Sequence, residues 1–526
     1  MVDGRSVYSP FTLGDTHYGL TGVILEDIER IEVLRGSNSA AYGANAMFGV
    51  INIITRHSLD TRGGEVSVSS GEGGIFDNRV RIGWGDDGAS YRISVGRQQD
   101  NGYRNAYDDR GVNQFHFRGD LRPDLGNDIL LEAGTNEANG GEGTLGDDAH
   151  TVTWYDTYLH GQWRHQVSAA DEFKLSASFN EEHRRDRYMN SSLPLGGAII
   201  DQSGRGRRFN LEAQYQLSLS ERLRGVAGVG YLYQDVRSRP LYNRDDTVSS
   251  NETRVFGTLE WRFHPQWLLN GSVFIGRNRW TGSYAAPRLM ANFSPVPDQT
   301  FRFGVAKSER TPNLVELAGD MRVMLGGVIP VQFIAASGKV RPETLLTQEL
   351  GYLGSFREWN LTLDVRAYHE RIKNVVATDG VPADFVNNQS VMAKGMEYQL
   401  RWHPLEETEF WLNQNFQRYE YRDRILRTDR QPPSHATTLA LFQKLPANLD
   451  LTLTYALAGK MNWRGRRDEF KPERLDVRLG YSFLLGSHRA ELAVALQSAY
   501  GDQPVFLPSS NFLFQRRAFA TLRLEY

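Results

Sequence analysis

From about residue 64 onward, apolar and polar residues alternate along this chain with a period of two. In one stretch Phe209, Leu211, Ala213, Tyr215, Leu217 and Leu219 share one face, while Asn210, Glu212, Gln214, Gln216, Ser218 and Ser220 share the other. Successive side chains of a strand point to opposite faces, so the pattern predicts strands with one greasy side. Phe173, Leu175, Ala177 and Phe179 alternate in the same way with Lys174, Ser176, Ser178 and Asn180. So do Leu361, Leu363, Val365 and Ala367 with Thr362, Asp364, Arg366 and Tyr368. A soluble sandwich would also alternate, but its strands usually run only about 5 to 6 residues, and many stretches here are much longer. No run of about 18 apolar residues occurs, so no transmembrane helix is expected; a β-barrel escapes that test because only alternate residues meet lipid.

The connections alternate as well. Residues 86–89, 122–126, 294–298, 404–407, 446–448 and 486–488 are short turns, and between them lie longer polar stretches at 136–150, 187–207, 310–343 and 501–515. Short turns on one side and long loops on the other mark an outer-membrane barrel. The walk gives roughly 22 antiparallel strands, the size of plugged outer-membrane transporters. Ala518, Ala520, Leu522, Leu524 and the terminal Tyr526 share one face of the last strand. At 526 residues the chain exceeds one ordinary core, and its net charge of −3 without a basic block gives nucleic-acid binding little support. It has no cysteine, which excludes thiol catalysis and thiolate metal sites.

Before the alternating region, residues 28–56 read IERIEVLRGSNSAAYGANAMFGVINIITR. Two apolar strands, 28–34 and 50–54, are joined by small residues and by Gly36, Gly43 and Gly49, which permit turns with φ > 0 and close backbone approach. This segment resembles the end of the plug domain of TonB-dependent outer-membrane receptors, with Ser37 where the family usually has Pro. Further stretches are similar to the family's barrel: Ser308-Glu309-Arg310-Thr311-Pro312-Asn313-Leu314-Val315-Glu316-Leu317, Arg341-Pro342-Glu343 to Gln348-Glu349-Leu350-Gly351-Tyr352, and Ala393-Lys394-Gly395-Met396-Glu397-Tyr398. The resemblance covers nearly the whole chain. It implies an all-β fold, a roughly 22-stranded transmembrane barrel with a partial plug in its lumen. Residues 1–56 would be the C-terminal part of the plug, 57–63 a linker and 64–526 the barrel. Residues 1–5 resemble an interior plug strand, so the signal peptide, the TonB-contacting box and the first part of the plug are expected to be missing.

By the same resemblance, residues 8–22 form an apical plug loop facing the outer vestibule, where Tyr8, Phe11, His17 and Tyr18 offer stacking surface and hydrogen bonds to a bulky chelate. Ordinary plug packing explains each of them equally well. Arg184, Arg185, Arg187, Arg205, Arg207 and Arg208 flank one outer loop, and guanidinium suits anionic, oxygen-rich ligands such as ferric catecholates. Lipopolysaccharide phosphates account for the cluster about as well. Arg35 resembles a plug arginine that meets two barrel glutamates, here Glu349 and Glu397, and is expected to stand alone against both; Arg30 is the fallback.

Other motifs are set aside. Residues 141–146 satisfy GxGxxG, but a polar stretch precedes them and a strand, not a helix, follows. His160 and His165 are five positions apart, hence on opposite faces of a strand. Asp147-Asp148 and Asp245-Asp246 read as solvated loop acids rather than Ca²⁺ ligands. No metal, cofactor or enzymatic site is expected. The reading is a receptor in the outer membrane of a Gram-negative bacterium, taking up a ferric siderophore or similar iron chelate. Its partners would be the TonB complex in the full-length form, outer-membrane lipid and lipopolysaccharide, and the barrel-assembly machinery. Cobalamin and haem receptors share these motifs; a passive porin or a β-rich adhesin are the readings from other classes.

Overall fold

A computed structural model describes residues 1–11, 13–104, 106–144, 147–421, 430–463, 471–504 and 513–526. Twenty-two antiparallel strands close into a barrel, each hydrogen-bonded to the next along the chain. The ring is sealed where Gly63–Gly71 pairs with Arg517–Glu525, in the register Glu65↔Glu525. Beyond the last ladder rung, Gly64 and Tyr526 exchange both backbone hydrogen bonds, at 2.7 and 2.9 Å. The Tyr526 ring lies flat over Gly64, so close that a Cβ on Gly64 would fall 2.2 Å from it. The terminal aromatic thus sits on the closing seam.

Strand parity follows the alternation. Leu211 and Tyr215 are exposed on the outer wall, while Glu212 turns inward to meet Arg254 at 2.7 Å. Aromatic rings gather outside at the short-turn ends of the strands. Trp84 stacks on Tyr91 and Tyr91 on Phe117, with centroids 5.6 and 6.3 Å apart. Trp261, Phe263, Trp267 and Phe293 form a second run, and Trp402–Phe410 and Tyr481–Phe483 continue the band. Amphipathic rings of this kind settle at the membrane–water interface, so the band marks one edge of the lipid-facing zone.

Several strands are far longer than the ~9–11 residues a tilted strand needs to cross the bilayer. Asn127–Thr144 has 18 residues, Asp147–Gln166 has 20 and Asp384–Leu405 has 22. Their excess lies at the end away from the aromatic band. This corrects the reading of 136–150 as a long polar loop: residues 136–144 and 147–150 are upper rungs of paired strands, with Glu142 opposite His150, and residues 145 and 146 lie outside the described residues. Polar side chains were mistaken for loop because, above the membrane, neither strand face needs to be apolar. The stretch 187–207 likewise carries a hairpin, Arg187–Asn190 on Ala198–Asp201. Stretch 310–343 carries the short helix Leu314–Ala318 and the hairpin Asp320–Leu325 on Ile329–Ala335. Residues 505–512 of the stretch 501–515 lie outside the described residues.

Inside the lumen, Ile28–Arg35 pairs antiparallel with Gly49–Thr55. Val2 bridges Ile53, and Val2, Val7 and Ile53 make a small apolar core. A unit this thin cannot bury enough apolar surface to be stable alone. It is held to the wall by charge: Asp27 faces Arg81 and Arg92 at 3.9 and 3.8 Å, and Arg92 donates to the Arg56 carbonyl at 2.6 Å.

Candidate functional site

Besides the contacts of Asp27, three groups of plug–barrel contacts stand out among the described residues. At the apex, the segment 6–11 reaches the upper wall. Ser9 Oγ and the Phe11 N–H both donate to Glu182 Oε1, the latter at 3.1 Å. Phe11 is 2% exposed, wedged among Val236, Tyr242, Leu314, Leu317 and Phe385, so it offers no stacking face to the vestibule. Its position corrects the ligand-facing reading: an apolar ring beside a closed cluster of outer-loop side chains gains more from burial than from water. Tyr8 is half-buried, its ring 5.9 Å from the inward-pointing Arg208 guanidinium. Burial, the largest cause, raises the Tyr8 phenol above its usual range. His17 opens the helix His17–Thr21 with Tyr18 beside it, and the side chains of both lie outside the described residues.

Halfway down, barrel side chains grip the plug backbone. Gln114 donates to the Thr21 carbonyl at 2.6 Å, His116 contacts the Gly22 carbonyl, and Arg118 reaches Thr55 Oγ1 at 2.8 Å. The Arg5 guanidinium lies 3.6 Å above the Tyr158 ring. Asp3 accepts from the Thr55 N–H at 2.9 Å, with Arg118 3.6 Å away. Burial first, and the nearby Glu132 charge second, push the Asp3 carboxyl up to about 7 against the pull of Arg118 and that N–H.

At the third contact Arg35 donates to Asp364 at 2.6 Å and lies 3.5 Å from Glu397. Glu349 is bound instead by Arg366, at 2.7 Å, and Arg366 also reaches Glu397 at 3.2 Å and Glu370 at 3.5 Å. Arg302 takes the second oxygen of Asp364. Of the two expected carboxylates, Glu397 lies beside Arg35 and Glu349 does not, and the expectation that Arg35 stands alone against both is corrected. Arg366 and Arg302, from the barrel itself, supply the missing positive charge, and four carboxylates share three guanidinium groups. Gly36, at φ +82°, lets the plug turn lie against this network; a Cβ there would sit 2.7 Å from the Arg366 guanidinium. Arg30 takes no part: it is exposed and pairs with Glu29 and Glu32 of its own strand.

The similar-looking barrel segments gather around these contacts. Ser308 Oγ touches Ser37 Oγ, Asn45 N–H donates to the Glu309 carbonyl at 3.0 Å, and Arg310 bridges Glu316 and Glu343 at 3.0 and 2.8 Å. Sequence reading missed Asp364, Arg366, Arg302, Arg118 and Glu182. The signal was present for Asp364 and Arg366, which alternate to the lumen face, and Arg366 pairs directly across from Glu397.

The six loop arginines do not form one patch, because the two-residue period separates them. Arg184 and Arg208 fall on the lumen parity, while Arg185, Arg205 and Arg207 fall on the outer one, where Arg207 pairs with Asp235 at 3.0 Å. Arg187 is exposed in the short hairpin above. His160 is bonded to Glu132 at 2.8 Å and His165 to Asn127 at 3.0 Å. Asp245 and Asp246 are exposed beside Arg239 and Arg244. Of the GxGxxG motif, residues 145 and 146 lie outside the described residues, and the rest is strand.

Comparison with known proteins agrees with this architecture. The family model for the TonB dependent receptor-like beta-barrel matches residues 78–514, and that for the TonB-dependent receptor plug domain matches residues 1–50. An iron-regulated outer membrane virulence protein of Vibrio cholerae is 23% identical over 390 residues, covering 68% of this chain and 55% of that protein. A vitamin B12 transporter of Vibrio cholerae is 22% identical over 382 residues, covering 68% and 57%. The chain thus spans about half the length of the curated relatives it matches. Among solved structures, the siderophore receptor PirA from Acinetobacter baumannii matches with a TM-score of 0.83 at 15% identity, over 100% of this chain and 90% of that one. A variant of the ferric enterobactin receptor PfeA from Pseudomonas aeruginosa matches at 0.79 and 16% identity, over 100% and 90%. At such identities the structural likeness speaks for the fold. The barrel model, however, fits most of the chain over a closed 22-stranded wall with plug strands seated inside, and on that ground the chain belongs to the TonB-dependent receptor family of outer-membrane β-barrels.

Proposed function

We propose that this chain is the receptor for TonB-energised uptake of a ferric siderophore or a similar iron chelate. The observation that supports it most is the plug's attachment: apart from Phe11, which seats in an apolar cluster of the wall, the plug contacts described above are mainly hydrogen bonds and ion pairs. Such contacts can be exchanged for water one after another, so a pull from the periplasmic side can shift the plug without tearing a core. In this reading residues 1–56 are the movable plug, 57–63 the linker and 64–526 the wall. Tyr8, with Arg208 beneath it, and the helix bearing His17 and Tyr18 would meet the chelate from below. The contact of Arg35 with Asp364 and Glu397 would hold the plug until force arrives. No covalent chemistry is needed, and the partners are the TonB complex, lipopolysaccharide and the barrel-assembly machinery.

The siderophore class is supported by the names of the structural neighbours, a siderophore receptor and a ferric enterobactin receptor. A corrinoid is the second reading, favoured by the vitamin B12 transporters among the relatives. Tryptophan-fluorescence titration of the purified chain in detergent separates them. Quenching by a ferric catecholate at concentrations well below those needed with cyanocobalamin is expected; the reverse order would replace the siderophore reading by the corrinoid one.

A further inference from the structure

Above the plug, Glu142, His150 and Asp186 converge from three neighbouring strand ends, each offering a ligand atom within 4.8 Å of the others. Glu142 and His150 lie opposite each other in the upper hairpin, and Asp186 follows the strand Glu172–Arg185 on the adjoining rung. We propose that these three side chains form a binding site for a divalent transition cation, zinc being the best fit. The site is distinct from the plug contacts and does not depend on which chelate the receptor takes up.

The argument begins with the imidazole. Nδ1 of His150 lies 2.6 Å from the Asp148 carbonyl, an acceptor, so Nδ1 carries the hydrogen and Nε2 presents a lone pair. A ring N–H bonded to a backbone carbonyl is the usual outer support of a metal-bound histidine, since it fixes the tautomer and aims the free nitrogen. The ring is further clamped flat against Tyr188, with centroids 3.7 Å apart and planes 9° off parallel.

Nε2 stands 3.1 Å from Asp186 Oδ1, yet both atoms are buried with no hydrogen-bond partner. With the hydrogen on Nδ1, Nε2 has no proton to give this oxygen, and two lone pairs face each other at 3.1 Å. A cation would satisfy both. With Zn–N and Zn–O bonds of about 2.0–2.2 Å, nitrogen and oxygen on adjacent corners of a tetrahedron sit a little over about 3 Å apart, which matches this spacing. Asp186 is 1% exposed, and burying an unpartnered carboxylate oxygen is costly unless positive charge reaches it.

Arg184 supplies part of that charge. It donates to Glu142 Oε2 at 3.0 Å and to Asp186 Oδ2 at 2.5 Å, holding the two carboxylates together from one side. Two carboxylates and one guanidinium leave a net negative charge facing the imidazole. The donor set of one nitrogen and two carboxylates suits zinc better than the all-oxygen shells of calcium or magnesium. Three protein ligands leave a coordination position open toward the vestibule.

The test uses the full chain in detergent, stripped with a chelator and then titrated with zinc against a chromophoric competitor. Wild type is expected to hold a single zinc ion, and His150→Ala to bind it about tenfold or more weakly. Glu142→Gln, at a half-exposed position, provides a second variant should His150→Ala fold poorly; retention of the compact, unheated band in SDS gels reports folding. His160→Ala, which alters a lumen histidine bonded to Glu132, should leave zinc affinity unchanged. Equal zinc affinity in wild type, His150→Ala and Glu142→Gln would overturn the proposal. So would a wild type that takes up calcium and zinc alike, or neither.

Discussion

The charge network around Arg35 makes the clearest demands on single residues. Removing Arg35 leaves Asp364 with Arg302 and Glu397 with Arg366, two guanidinium groups for four carboxylates, while the plug loses one of its anchors. A pair exposed by a fifth to a third is worth less than a fully buried one. Arg35→Ala is expected to loosen the plug by about 2 kcal/mol, between the surface and buried extremes. Hydrogen exchange in Ile28–Arg35 and Gly49–Thr55 should quicken accordingly, with barrel strands unaffected; unchanged protection of these plug strands would remove Arg35 from the list of anchors. Asp3 makes a second demand. It belongs to the plug, not to a membrane-crossing strand, and its carboxyl is pushed from 3.8 to about 7 in the folded state. Between those values the folded plug binds a proton that the unfolded chain does not, so this contribution to stability is lost as pH rises through that window. Asp3→Asn should flatten the decline between about pH 4 and 7, seen as plug unfolding in urea. An identical pH profile in the variant would show that Asp3 is ionised throughout.

Strands obey a simpler rule. Ala213 lies between Leu175 and Val229 on the outer wall, whereas Gln214, one residue on, faces the lumen beside Glu212. Ala213→Arg is therefore expected to cost about 2–4 kcal/mol if it sits near the bilayer midplane, and Gln214→Arg little, in denaturant titrations of the barrel in lipid vesicles. Equal costs would mean the register is shifted. The closing seam offers a second element-scale test. A side chain on Gly64 would enter the Tyr526 ring, so Gly64→Val should lower the folded fraction after assembly, as overpacking commonly costs about 1–3 kcal/mol. A normal yield of heat-modifiable barrel would show that the terminal ring can move aside.

For the molecule as a whole, the question is whether the plug must move. The chain has no cysteine, and the Ser37 and Ser308 hydroxyls touch between plug and wall. In a form that carries the TonB-contacting box, replacing both, Ser37→Cys with Ser308→Cys, is expected to give a disulfide that abolishes energised uptake while leaving chelate binding at the surface intact; reduction should restore uptake. Full transport with the bond formed would mean that the plug moves elsewhere or not at all. How much of this was legible beforehand follows from the range of the forces involved. A two-residue period is local, so the strand faces, the approximate strand count and the inward placement of Asp364, Arg366 and Glu397 could be read residue by residue. The upper strand ends at 136–144 and 147–150 could not, because outside the membrane polarity no longer distinguishes strand from loop. Nor could Asp364, the nearer partner of Arg35, although the resemblance did name Glu397. Charges pair with whatever the closed wall brings within a few ångströms, and that depends on the stagger of strands hundreds of residues from the plug. By itself the sequence determined a barrel, its greasy side and the chemical character of its lumen, since each follows from alternation along a single strand. Only the tertiary structure decided that Arg366 relieves Glu349, that Phe11 is buried, and that Glu142, His150 and Asp186 meet. Those contacts join separate strands, and only closing the ring fixes them.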